Sequence, residues 1–124
     1  MFFTKHETES PIIIAGDKTH LQELLHPEND PVEIGYSLAK ATLMPGESSL
    51  PHKLASTEVY YFIKGFGKAY IDQNEIPVEC GSMVFIPAGT EQHVVNTGNS
   101  ELVFMCIVEP FWKQVNEKIT TIEE

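Results

Sequence analysis

The residues best suited to chemistry in this sequence are His52 and, six positions later, Glu58. Glu58 leads into the apolar stretch 59–63, where a carboxylate is costly unless it is paired, hydrogen-bonded or bound to a cation. Side chains two positions apart on a strand share a face, so Glu58 is expected beside Tyr60. If that face lines a barrel, His52 and Glu58 meet inside it. The Tyr60 hydroxyl could donate a hydrogen bond or carry a proton there, or it could be the satisfied tip of a core tyrosine.

Short strand patterns separated by turn-forming residues surround these positions. Runs of β-branched, aromatic and aliphatic residues predict strands over 32–43, 59–63, 68–71, 83–86, 93–95 and 102–108. The intervening segments are rich in Gly, Pro, Asn and Asp, as turns are. This spacing indicates an all-β sandwich or barrel. Positive φ angles are expected at the barrel corners, which are predicted at Gly46, Gly81 and Gly89. Segment 65–67 is expected to form a hairpin.

Two short helices are expected outside the strand region. Thr19 and Gln22 fit a capping box ahead of leucines, which predicts a short helix that ends at Pro27. Residues 111–119 are expected to form a second short helix that lays Phe111, Trp112 and Val115 over an open end of the barrel. Residues 120–124 are expected to be a frayed tail. The sequence thus predicts one domain with an N-terminal extension over 1–31 that packs on the barrel, the barrel over 32–109, and a C-terminal helix and tail over 110–124.

Charge and cysteine content limit the classes of partner. The chain has 124 residues with 18 Asp and Glu against 8 Lys and Arg, a formal net charge of −10. Such a chain should repel phosphate backbones and anionic membrane faces, so we expect neither nucleic-acid nor membrane binding. Without a secretory pattern or a membrane-spanning apolar stretch, the sequence predicts a cytoplasmic protein. Cys80 and Cys106 are too few for a disulfide framework, and Glu117 is expected to be a solvated acidic residue.

The spacing around His52 resembles a motif of a known family. The chain reads Gly46, five residues, His52-x-Leu54, three residues, Glu58, six residues, Gly65. These intervals resemble the first motif of the cupins, in which Gly, His-x-His, Glu and Gly follow one another at the same distances. Leu54 is the one departure, because it stands where the family has its second histidine.

A second block resembles the other cupin motif. The chain reads Gly81, five residues, Pro87-x-Gly89, two residues, Gln92, three residues, Asn96. The family has Gly, Pro-x-Gly, His and Asn at these intervals, so Gln92 occupies the histidine position. With the flanking strand patterns, the resemblance covers most of the chain. It implies an all-β double-stranded β-helix, the jelly-roll barrel of the cupins.

The resemblance also implies a ligand set inside the barrel. In metal-binding cupins, the motif histidines and the glutamate hold a divalent metal. Carried over by position, this implies His52 and Glu58 as metal ligands with Gln92 in support, and a narrow pocket completed by Leu54 and Tyr60. Imidazole, carboxylate and amide oxygen donors suit Mn, Fe, Ni or Zn.

Two alternatives stay open at this site. A local bulge would turn His93 inward, and His52, Glu58 and His93 would then approximate the two-histidine, one-carboxylate set of non-haem iron enzymes. Otherwise His93 faces outward or lies in an interface. In the second alternative, His52 and Glu58 form a mutual hydrogen bond inside a metal-free barrel, and the Gln92 amide is satisfied by neighbouring groups.

The resemblance implies a barrel that holds one small ligand. The leading hypothesis is a metal-assisted isomerase or lyase acting on a sugar, sugar acid or small carboxylate, with Glu58 or Tyr60 moving a proton. Alternatives are a metal-free cupin that binds or senses a metabolite without transforming it, and a non-haem iron dioxygenase-like cupin. Cupins commonly pair through sheet faces and edges, which implies a homodimer.

Overall fold

The computed structural model describes residues 1–120, and the regular structure there is almost all β. The strands in this range are β1 (Ile13–Ile14), β2 (His20–Leu25), β3 (Ser37–Leu43), β4 (His52–Leu54), β5 (Thr57–Lys64), β6 (Phe66–Ile71), β7 (Asn74–Glu79), β8 (Met83–Ile86), β9 (Gln92–Asn96), β10 (Leu102–Glu109) and β11 (Glu117–Ile119). They form an antiparallel six-stranded sheet in the order β1-β2-β3-β10-β5-β8 and an antiparallel five-stranded sheet in the order β11-β4-β9-β6-β7. No helical segment within residues 1–120 has the length and apolar character needed to cross a bilayer.

The two sheets enclose an apolar core, because side chains alternate between the faces of each strand. On β5, Glu58, Tyr60 and Phe62 are buried, whereas Tyr61 and Ile63 are exposed. Both sheets contribute to the core, which includes Leu43, Phe62, Ala69, Val78, Ile86, Val94, Leu102 and Phe104. The predicted all-β architecture with an interior face is therefore confirmed. Because β5 lies between β8 and β10, its buried face places two polar side chains next to this core.

The predicted N-terminal helix is wrong, because its residues form β2 and join the six-stranded sheet. The Thr19 hydroxyl and backbone N–H both donate to Asp17 Oδ1, at 2.7 and 3.1 Å, so Thr19 does not cap a helix. The following residues pair with β3, beginning with His20 opposite Thr42. Cross-strand pairing and burial outweigh a weak local helix signal here. The helical part of the N-terminal segment is one 3-10 turn over Glu7–Glu9.

The predicted C-terminal helix is also wrong. A 3-10 turn over Gln114–Asn116 leads into β11, which pairs with β4 so that Ile119 lies opposite His52. The edge of the five-stranded sheet offers unpaired backbone groups to this segment, and they are satisfied by a strand rather than by a helix. The predicted frayed tail falls mostly on residues 121–124, which lie outside the described residues.

Segment 65–67 connects the two sheets and does not form the predicted hairpin, because β5 and β6 belong to different sheets. Gly65 has a φ of +93°, and a Cβ there would lie 2.3 Å from the backbone oxygen of Glu101. Only glycine fits such a close approach without displacement. The positive φ predicted at the other corners is confirmed, with values of 82°, 95° and 79° at Gly46, Gly81 and Gly89.

Candidate functional site in the barrel interior

A cavity of about 770 Å³ lies inside the barrel and extends between the two terminal segments. His52, Glu58 and Tyr60 form part of its wall, together with side chains of β10. The rest of the wall comes from β1, β2 and β3, from the segments that connect these three strands, and from residues before β1 and after β10. Small-molecule sites typically measure about 300–1,000 Å³, so this cavity can enclose a small organic ligand.

His52 is held so that one ring nitrogen faces the cavity. The alternation along β4 buries His52 and Leu54 and exposes Lys53. The Nδ1 atom of His52 lies 2.8 Å from the backbone oxygen of Leu50, a group that can only accept a hydrogen bond, so Nδ1 carries the proton. When the ring is neutral, this tautomer presents the Nε2 lone pair to the cavity; the His52 side chain is only 3% exposed.

Gln92 connects the polar groups inside the barrel. Its Cα lies opposite that of His52 where β4 and β9 pair, and the residue is 1% exposed. The Gln92 amide nitrogen donates to Glu58 Oε1 and to the Tyr60 hydroxyl, the latter at 2.7 Å, and lies 3.3 Å from His52 Nε2. The amide has two N–H groups, and the two nearer acceptors take both. His52 Nε2 therefore keeps a lone pair available for another ligand.

The acidic groups around Gln92 hold their protons when no cation is bound. Burial raises the pKa of Glu58 to about 8; the hydrogen bond from Gln92 opposes this rise, and the charges of Asp17 and Glu117 add to it. The Glu58 carboxyl is then mostly neutral at pH 7. Burial also raises the pKa of the Tyr60 hydroxyl and that of the Cys106 thiol well above their ordinary values. These groups can donate protons, but they are poor bases in this state.

Two carboxylates that the sequence reasoning missed face His52. Asp17 Oδ2 lies 3.7 Å and Glu117 Oε2 lies 4.0 Å from His52 Nε2, and the two acidic side chains are 13% and 14% exposed. Thr19 holds Oδ1 of Asp17, as described above, and leaves Oδ2 free. Pairing between β11 and β4 places Glu117 opposite Leu54. Burial raises the pKa of Glu117, while His52 opposes this rise and Asp17 adds to it. The expectation of a solvated Glu117 is therefore wrong.

Asp17, His52 and Glu117 could hold a divalent metal. Each offers a ligand atom, and the three atoms lie within 4.8 Å of one another. Metal-binding histidines commonly donate their second ring N–H to a carbonyl, as His52 does to Leu50. One imidazole with two carboxylates suits Mn, Fe(II), Ni or Zn. The donor chemistry of these residues therefore fits the metal that the resemblance implies, although only His52 belongs to the ligand set carried over from the motifs.

The remaining residues of the sequence-derived set occupy different positions. Glu58 borders the same cavity as His52, but Gln92 directs its nitrogen rather than its oxygen toward both. Leu54 is buried but lies outside the cavity lining. His93 stacks against Tyr70 with ring centroids 4.5 Å apart, and this face of β9 is opposite to that of Gln92. The structure thus brings His52, Glu58, Tyr60 and Gln92 together and leaves His93 outside.

Comparison with known proteins identifies relatives along most of the chain. The family Cupin_2, described as Cupin domain, matches residues 39–108. An uncharacterised protein of Methanocaldococcus jannaschii is 32% identical over 94% of this chain and 92% of its own length. A protein of Thermotoga maritima named Oxalate-binding protein is 31% identical, over 56% of this chain and 59% of its own length.

A solved structure shows the same fold. The polyketide cyclase RemF from Streptomyces resistomycificus superposes with a TM-score of 0.82 over 100% of this chain and 89% of that chain. The sequence identity is 17%, so the comparison concerns the fold alone. Together with the sheet order, it shows that the two sheets form a β-barrel of the jelly-roll type.

Proposed function

This chain belongs to the cupin family, and we propose that it binds a small molecule in the barrel cavity at a divalent metal centred on His52. The observation that carries the proposal is the buried Nε2 atom of His52, which faces the carboxyl groups of Asp17 and Glu117. Two partly buried carboxyl groups at such short distances from one imidazole place several cation-binding atoms in one poorly solvated site. A bound cation would stabilise the ionised form of both carboxyl groups.

Asp17, His52 and Glu117 would hold the metal, and Glu58 would face it from β5. Such a metal supplies a Lewis acid that polarises an oxygen atom of the ligand. The chain itself supplies the proton transfer. Burial raises the pKa of the Glu58 carboxyl in the metal-free protein, and this group would take up or release a proton beside the ligand, while the Tyr60 hydroxyl can orient a ligand oxygen.

These groups support isomerase or lyase chemistry, which needs a polarised oxygen and a mobile proton. A sugar, a sugar acid or a small carboxylate would suit such chemistry; a relative over part of the chain carries the name Oxalate-binding protein. Oxygen chemistry of the non-haem iron type has less support. The ligand set that would allow it includes His93, and His93 lies on the outer face of β9.

A second candidate is a metal-free barrel that binds or senses a metabolite without transforming it. One observation favours it, because the buried polar groups are already satisfied without a metal. Gln92 donates to both Glu58 and Tyr60, and within residues 1–120 no buried side-chain nitrogen or oxygen lacks a hydrogen-bond partner. The same cavity would then recognise its ligand through hydrogen bonds and apolar contact alone.

Metal content separates the two candidates. Protein purified without a polyhistidine tag is loaded with Mn, Fe(II), Ni or Zn, freed of excess metal and subjected to elemental analysis. We expect near-stoichiometric metal in the wild type, its loss in the double variant Asp17→Asn/Glu117→Gln, and its retention in Glu58→Gln. A variant with two exposed carboxylates neutralised, Glu28→Gln/Glu79→Gln, controls for net charge and should retain metal.

Two results would contradict the metal site. If metal disappears in Glu58→Gln but persists when Asp17 and Glu117 are neutralised, the ligands are the set carried over from the cupin motifs. If the wild type takes up none of the four metals, the metal-free candidate replaces the first one.

A further inference from the structure

Six carboxyl groups belong to the described residues of the cavity wall: those of Glu9, Asp17, Glu23, Asp30, Glu58 and Glu117. Lys5 is the only lysine or arginine among the described residues that line the cavity, and its ammonium group lies 3.1 Å from Asp30 Oδ1. The net charge of −10 has the same sign. A cleft in which one sign of charge predominates focuses its field, so the carboxylates of Glu9 and Glu23 would oppose an anionic ligand.

The proposed metal does not reverse this field. His52 is neutral when its Nε2 ligates, and the formal charges of Asp17 and Glu117 balance a divalent cation. The centre therefore offers an anion no net positive charge. The single ammonium group of the wall, that of Lys5, is already paired with Asp30.

The outer carboxylates are also held by donors of the chain itself. Glu9, Glu23 and Asp30 each accept a hydrogen bond; the donors are the His6 N–H, the Asn29 side-chain amide and the His26 N–H. These carboxylates oppose anions through their charge. An ammonium group would lose its hydration on entering the cavity, and it would share these carboxylates with donors that the chain already supplies. The wall thus disfavours acids without offering a dedicated site for amines.

The rest of the wall suits an uncharged ligand with an apolar part. Leu21, Ala41, Phe104 and Trp112 supply aliphatic and aromatic surface, and Tyr60 supplies a hydroxyl. We propose that the ligand is an uncharged molecule that joins a hydroxyl or carbonyl group to an apolar or aromatic body. This inference rests on the proposed binding of a small molecule in this cavity, and it selects against the sugar acids and small carboxylates considered above.

Three probes of similar size and different charge test the inference: benzamide is neutral, benzoate is an anion and benzylammonium is a cation. Their dissociation constants are measured by ligand-observed NMR titration at low ionic strength on metal-loaded protein. We expect benzamide to bind at least tenfold more tightly than either ion. Glu23→Gln removes a charge from the wall but keeps an oxygen that can accept a hydrogen bond. This variant should bring the dissociation constants of benzamide and benzoate closer together. Glu28 is exposed and lies outside the cavity lining, so Glu28→Gln should leave the ratio of the two dissociation constants unchanged.

The outcomes separate this inference from the function on which it rests. Benzoate or benzylammonium binding as tightly as benzamide would overturn the inference and leave small-molecule binding intact. A preference for benzamide that Glu23→Gln does not alter would show that charge in the wall is not its cause, which also overturns the inference. If none of the three probes binds at millimolar concentration, the inference fails together with the proposed binding function.

Discussion

Replacing Glu58 with Gln should remove a strong pH dependence of stability from the metal-free protein. In the folded state burial raises the pKa of Glu58 from 4.5 to about 8, so the carboxyl keeps its proton through neutral pH. In the unfolded chain the same group ionises above about pH 4.5. Between these values unfolding releases a proton, and the free energy of unfolding therefore falls as pH rises.

The magnitude follows from the width of that window. Each pH unit is worth about 1.4 kcal/mol, so roughly 3.5 units between 4.5 and about 8 amount to about 5 kcal/mol. The contribution is fully present below pH 4.5 and is lost as pH rises through the folded pKa. A loss of this size is comparable to the whole stability of many small domains, about 5–15 kcal/mol.

Urea denaturation with a chelator present, at several pH values from 4.5 to 8.5, measures this effect. Glu58→Gln keeps an oxygen to accept the hydrogen bond from Gln92 but does not titrate. The free energy of unfolding of the variant minus that of the wild type should increase by about 5 kcal/mol across the window. A difference that stays constant to within about 1 kcal/mol would refute the buried, protonated Glu58 on which the proposed proton transfer depends.

The remaining predictions concern the frame of the barrel and its assembly. Gly65→Ala should lower the free energy of unfolding in urea by about 2–4 kcal/mol. The alanine Cβ would collide with the backbone of Glu101, and alanine is also strained at a positive φ. Gly89→Ala has a positive φ but open space around it, so it should cost only about 1 kcal/mol, and equal losses at both sites would contradict the steric argument. The homodimer implied by the resemblance would use the mainly apolar outer face of β5, β8 and β10, where Phe85 is 56% exposed. Phe85→Lys should therefore give monomers in sedimentation velocity, whereas Phe66→Lys, on the other sheet, should leave the dimer intact. A monomeric wild type would contradict this prediction.

The fold and the inner part of the site could be predicted because their signals are local. The offsets in the two motifs fix where Glu58 and Gln92 stand on their strands, and alternation then decides that their side chains point inward. The same periodicity separates Gln92 from His93, so a shift of one residue would exchange them. The structure places Gln92 inside and His93 outside, which matches the motif spacing.

The rest of the site depends on contacts between distant parts of the chain. Glu117 reaches His52 only because β11 pairs with β4, and a three-residue strand in a polar segment leaves no periodic pattern to detect. Asp17 is recognisable only as part of a turn. The strand β7 was missed because five of its six residues are not buried and it contains Pro77, which weakens a strand pattern. Long-range pairing also explains why an apparent capping box at Thr19 introduces a strand.

The location of a bound metal tests the central claim most directly. Crystals grown with Mn²⁺ and measured for anomalous scattering near the manganese absorption edge would locate the ion. We predict an anomalous peak within coordination distance of His52 Nε2 and of the carboxylates of Asp17 and Glu117. A peak held by Glu58 and Gln92 without contact to Asp17 or Glu117, or a cavity without any peak, would contradict the account.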